Sequence, residues 1–103
     1  MFTEIVRFDM PEAMSREEAL ALFRDSAEGW RRNPDLIRKS YLLDMERRVA
    51  GGVYLWRRRE DAERWHGPEF RARVRAGFGS DPVSEVFETP LLVEAPAGEI
   101  IET

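Results

Sequence analysis

The sequence predicts an α+β sandwich of four strands and two helices, in the order β-α-β-β-α-β. Three observations carry that reading. Runs with apolar residues at every second position alternate with stretches whose apolar residues recur every three or four. A Ser-x-x-Glu signature at Ser15 opens the first helical stretch. Asn33-Pro34 and Gly67-Pro68 interrupt the helical spacing where a chain must turn.

Phe2 to Asp9 is the first strand, with Phe2, Val6 and Phe8 on one face and Glu4 interrupting it. Met10-Pro11-Glu12 ends it, and Ser15 and Glu18 form a capping box for the first helix. Ala19, Leu20, Phe23, Ala27 and Trp30 give that helix an apolar stripe to pack on a sheet, while Arg24, Asp25, Glu28, Arg31 and Arg32 face water. Asn33-Pro34-Asp35 stops it, because the residue before a proline is pushed out of the α region.

Leu36 to Met45 alternates Ile37, Tyr41, Leu43 and Met45 with Arg38, Ser40 and Asp44, a strand with one wetter face. Glu46-Arg47-Arg48 is the hairpin turn, and Val49 to Arg57 is a third strand, apolar enough for an inner place in the sheet. Arg59 to His66 is helical, breaks at Gly67-Pro68, and resumes with proline at the first helical position, Phe70 and Val74 continuing the stripe. Gly77 to Pro82 is a loop, and Val83 to Val93 is the fourth strand, with Thr89-Pro90 a bulge or edge break. Residues 1–95 form one domain and 96–103 a polar, loosely held tail.

With right-handed crossovers this order gives the ferredoxin-like arrangement, a four-stranded antiparallel sheet covered by helices on one face. The other face is too apolar to be left in water, so a second copy of the chain is expected to cover it.

The 103 residues and 12.0 kDa fit one domain, and the absence of cysteine removes disulfides, thiolate metal sites and cysteine nucleophiles together. A net charge of −4 disfavours nucleic acid as a partner. Residues 57–75 carry seven arginines against four acids, a mild basic patch best read as a solvated helix face. Fifteen of the sixteen basic residues are arginine, which reads as compositional rather than functional. The opening residues hold no apolar signal core and no run is long enough to span a bilayer, so a cytoplasmic location is expected and no membrane partner.

Met1 to Phe8, Trp30 with Asn33-Pro34, Gly51-Gly52-Val53-Tyr54-Leu55-Trp56, Glu60-Asp61-Ala62 with Trp65-His66, and Val86 to Pro90 together resemble the YdhR-type monooxygenases, over residues 1–95. The resemblance implies a dimeric α+β barrel, in which two ferredoxin-like subunits pack sheet against sheet, and kinship with the antibiotic-biosynthesis monooxygenases. Those relatives oxidise polycyclic aromatic phenols with molecular oxygen and no flavin, metal or haem, so no cofactor is expected.

Such chemistry needs an apolar cavity to desolvate a phenol, a base to ionise it and donors to hold the anion. His66, the one side chain whose unperturbed pKa suits proton transfer near neutrality, is the candidate catalytic base. Tyr54 and Trp56 share a face of the third strand and, with Tyr41 and Trp65, are the candidate substrate-binding residues. A lone histidine and no cysteine exclude a closed zinc site, so no metal is expected. The expected function is a homodimeric, cofactor-independent monooxygenase acting on an aromatic or polycyclic small molecule. Its rival is a non-catalytic homodimeric binding module for an apolar metabolite.

Overall fold

Ser15 does what its spacing requires: its hydroxyl accepts from the Glu18 backbone N–H at 3.1 Å, while the Glu18 carboxylate accepts from the Ser15 N–H at 3.0 Å. Helix α1 (Arg16–Arg31) therefore begins fully capped. The computed structural model describes residues 1–103, and around α1 it places strand β1 (Phe2–Asp9), strands β2 (Leu36–Asp44) and β3 (Val49–Trp56), helices α2 (Arg59–Trp65) and α3 (Pro68–Phe78), and strand β4 (Val83–Glu88). Two short strands, β5 (Leu91–Val93) and β6 (Ile100–Glu102), complete the chain.

The main sheet is antiparallel with strand order β2-β3-β1-β4, so β3 and β1 are inner, as the apolar content of β3 predicts. The fold is α+β and ferredoxin-like, with the helices on one face. Residues opposite each other across a pair share a face. Glu4 opposes Tyr54 and Val86, Val6 opposes Gly52, and Lys39 opposes Tyr54. Glu4, Val6, Phe8, Lys39, Tyr41, Tyr54 and Trp56 thus lie on the helix-covered side, where they meet Phe23 of α1 and Phe70, Val74 and Phe78 of α3.

Three details differ from the sequence reading. Phe78 belongs to α3 rather than to a loop, because the helix stops at Gly79, whose φ of 76° is the left-handed conformation that ends helices; the extra turn seats Phe78 against Phe8, ring centroids 4.7 Å apart. The long fourth strand divides at Thr89-Pro90, and its second part leaves the main sheet to pair with β6, inside the segment read as tail. Ala27, expected in the buried stripe of α1, is exposed, since only Ala19 and Phe23 of that helix are fully covered.

At the β2–β3 hairpin Arg48 adopts a positive φ of 56°. Its guanidinium Nη2 donates to the carbonyls of Pro11, Glu12 and Met14 at 2.5–2.7 Å. That strap ties the hairpin to the loop entering α1. No helix is long and apolar enough to cross a membrane.

Candidate functional site

Between the helix-covered sheet face and the helices lies a cavity of about 750 Å³. Its floor comes from Phe8, Lys39, Tyr41, Gly51 and Tyr54 on the sheet, its walls from Trp30 and Phe23 on α1 and from Phe70 and Val74 on α3. The exposed members of its lining stand on α1 (Asp25, Ser26, Gly29), at the end of α2 (Trp65) and on α3 (Arg73, Ala76), so it opens between α1 and the α2–α3 pair. Volume and aromatic lining suit a small organic guest.

Tyr54 is buried and edge-on to Trp30, centroids 5.2 Å apart, and it stacks in parallel with Trp56 at 5.7 Å. Burial, reinforced by Tyr41 and Glu4, pushes its hydroxyl well above the usual phenol range, so it stays an un-ionised donor. Tyr41 reaches the cavity from β2; Ser26 spends its own proton on the Phe23 carbonyl at 2.9 Å, so the Tyr41 hydroxyl donates to Ser26 Oγ at 2.6 Å. Burial raises Tyr41 too. Trp65 stands at the rim, 38 % exposed, its indole N–H on the Asp35 carboxylate at 3.0 Å. The Asp35 carboxyl lies below its usual range, through that bond first and then the Arg64 guanidinium, against the effect of desolvation.

Of the five residues singled out from the sequence, Tyr41, Tyr54 and Trp65 line the cavity, whereas Trp56 and His66 stand behind it. The His66 ring lies edge-on to Tyr54 at 4.3 Å and tilted against Phe70 at 4.1 Å. It borders a second, polar hollow shared with Glu4, Ser84 and Arg71. His66 Nδ1 is 2.6 Å from Glu4 Oε1, which also accepts from Trp56 Nε1 at 2.9 Å, and Ser84 Oγ donates to Glu4 Oε2. Desolvation would raise the Glu4 carboxyl, but the hydrogen bond from His66, helped by those from Ser84 and Trp56, prevails and holds it below the usual carboxylate range. With an ionised Glu4 accepting, Nδ1 is the protonated ring nitrogen, and Nε2 is buried without a partner.

Sequence reasoning missed two residues. Glu4 looked like an interruption of an apolar face, yet it is only 2 % exposed and collects three donors. Lys39 sits on the apolar parity of β2, two residues before Tyr41. Its Nζ lies 3.8 Å from the ring centroid of Tyr41, 4.6 Å from Tyr54 and 4.9 Å from Trp30. Burial, with the Arg73 guanidinium adding to it, pushes its ammonium down to about 7. The available signal was that parity, together with its being the single lysine among sixteen basic residues. Gly52 explains how it fits: a Cβ there would stand 3.0 Å from Lys39 Cε and 3.1 Å from Tyr54 Cε1. The glycine is the bare backbone over which the lysine stem lies.

Comparison with solved structures places the same fold in SnoaB, described as a cofactor-independent oxygenase from Streptomyces nogalater. That protein superposes with a TM-score of 0.61 at 18 % identity over 95 % of this chain and 97 % of its own. An asparagine-to-alanine variant of SnoaB gives 0.63 at 18 % identity over 85 % and 91 %. No curated protein sequence matches the chain. The family described as “Putative mono-oxygenase ydhR” matches residues 5–90, a span running from β1 through the covering helices to the end of β4. The chain belongs to the ydhR mono-oxygenase family.

Proposed function

We propose that this protein is a cofactor-independent monooxygenase acting on an aromatic or polycyclic small molecule held between sheet and helices. The observation that carries the proposal is the aromatic cavity of about 750 Å³, open between α1 and the α2–α3 pair. Trp30, Tyr41, Tyr54 and Phe70 offer ring faces and edges to a flat guest, and aromatic contacts of that kind favour offset or edge-on packing over plain burial. Without a flavin or metal the electrons passed to oxygen come from the substrate itself, which must first be ionised. An apolar lining withholds water from that anion, and the Tyr54 hydroxyl is available to donate to it. In this reading Tyr41, Tyr54 and Trp65 touch the guest. Trp56 and the Glu4–His66 pair hold Tyr54 in place from behind, so His66 acts on the wall rather than on the substrate.

A homodimer completes the picture. The uncovered sheet face carries Ile5, Val53 and Leu55, with Leu42, Val83 and Phe87 exposed, and a second copy packed sheet against sheet would cover it.

Oxygen consumption measured against a panel of anthrones, quinols and phenols tests the function. Uptake with stoichiometric substrate oxidation supports it; tight binding of the same compounds with no uptake would leave the binding-module reading in its place.

A further inference from the structure

We propose that Lys39 is the acid–base group of the cavity: it takes the hydroxyl proton of a phenolic guest and holds the resulting anion against its own ammonium.

The geometry supplies the argument. Three aromatic rings, from Tyr41, Tyr54 and Trp30, surround the Nζ within 5 Å of their centroids. Such rings attract a cation but present no hydrogen-bond donor to the amine lone pair, so the acceptor capacity of the amine is left for whatever enters the cavity. Lys39 forms no ion pair with a carboxylate, and the guanidinium of Arg73 on α3 repels its charge. The other titratable groups around the space are Asp25 on α1, Tyr41 on β2 and Tyr54 on β3, with Glu4 and His66 behind Tyr54. An anionic oxygen placed at the Nζ would therefore meet two cations and a donating phenol.

The side chain chosen at this one position points the same way. Every other basic side chain of this protein is arginine, which stays charged at any pH a protein survives. The one position inside the aromatic box is filled by the basic residue that can lose its proton. With its ammonium held down at about 7, amine and ammonium coexist at neutral pH. The transfer is simple: the amine lone pair forms an N–H bond to the phenol proton as the O–H bond breaks, leaving an ammonium–phenolate pair with no change in oxidation state.

This inference rests on the cavity being an aromatic-ligand site, and the test separates the two. The single lysine makes it clean: reductive methylation with isotope-labelled formaldehyde marks only Lys39 and the α-amino group, and Lys39→Arg identifies which signal is which. Lys39 is expected to titrate near neutrality, and titration in the ordinary lysine range would overturn the proposal. Binding of para-nitrophenol is then followed by absorbance about one unit below its solution pKa, where the free probe is mostly neutral. The wild-type protein is expected to bind it with a phenolate spectrum. Lys39→Met, close in shape and uncharged, is expected to bind it as the neutral phenol and about tenfold more weakly. Lys39→Arg is expected to keep phenolate binding and to show only the pH dependence of the probe's own ionisation, without the fall in affinity above neutrality that deprotonation of Lys39 gives the wild type. A phenolate spectrum of equal strength in Lys39→Met would refute the role of Lys39 alone. Failure of the wild-type protein to take up either para-nitrophenol or neutral nitrobenzene would remove the aromatic-site reading, and this inference with it.

Discussion

Glu4 and Lys39 show what a single buried ionisable group does to a strand that otherwise reads as apolar. Glu4 survives burial because Trp56, His66 and Ser84 all donate to it, and removing the carboxylate strands three donors at once. Glu4→Ala is expected to lower the unfolding free energy by about 3 kcal/mol in denaturant titration, in the range for breaking a buried pair. Its folded carboxyl lies below the usual range, so its contribution is complete above the ordinary carboxylate pKa and disappears as the pH falls through the lower folded value. Lys39 works in the opposite sense. Folded, it releases its proton at about 7, whereas the unfolded chain keeps it to the ordinary lysine range, so between those limits the unfolded state binds more protons and stability rises with pH. The unfolding free energy at about pH 9 is expected to exceed that at neutrality in the wild type and not in Lys39→Met; equal pH slopes would contradict it. Neither group could be read from alternation, which marks a polar residue on an apolar face as a defect and says nothing of the partners that satisfy it.

At the scale of elements, local rules were enough wherever they acted within one turn. The Ser15–Glu18 box, the stop at Asn33-Pro34 and the restart at Pro68 all stand where the residues put them. Errors arose where a distant partner decides. The Gly77-Phe78-Gly79 stretch offers two glycines as helix stops, and packing of Phe78 on Phe8 selects the second. Thr89-Pro90 was visible as a break, but nothing local says that β5 finds β6 beyond it. The glycine pair of β3 has a double meaning. Gly52 clears space for Lys39, while at Gly51 an added Cβ would stand 1.8 Å from the Val6 carbonyl oxygen of the neighbouring strand. Backbone cannot yield as a side chain can, so Gly51→Ala is expected to cost about 3 kcal/mol or more, read as a shifted denaturant midpoint.

For the whole molecule, the sequence showed how many layers there are, and the structure shows which side each residue faces. Tyr54 and Trp56 could have turned to either side of β3; the register with β1 turns both toward the helices, where core and cavity wall become the same residues. The opposite side leaves Phe87 49 % exposed, across from Thr3 and on the same face as Ile5 and Leu55. If two sheets meet there, Phe87→Glu places a carboxylate in the seam and is expected to shift the sedimentation profile from dimer to monomer while leaving the circular dichroism of each subunit unchanged. A wild-type protein that sediments as a monomer at every concentration would end the dimer reading.

Arg48 adds a mechanical asymmetry to that architecture. By grasping three carbonyls of the loop ahead of α1, it fixes the root of that helix to the β2–β3 hairpin. The far end is held by packing instead: Trp30 lies edge-on to Tyr54, Trp56 and Phe70. The helix is thus tied by hydrogen bonds at one end and by aromatic packing at the other. The aromatic end therefore serves twice, as the anchor of α1 and as the wall of the cavity, so a substitution at Trp30 loosens the helix and reshapes the cavity together.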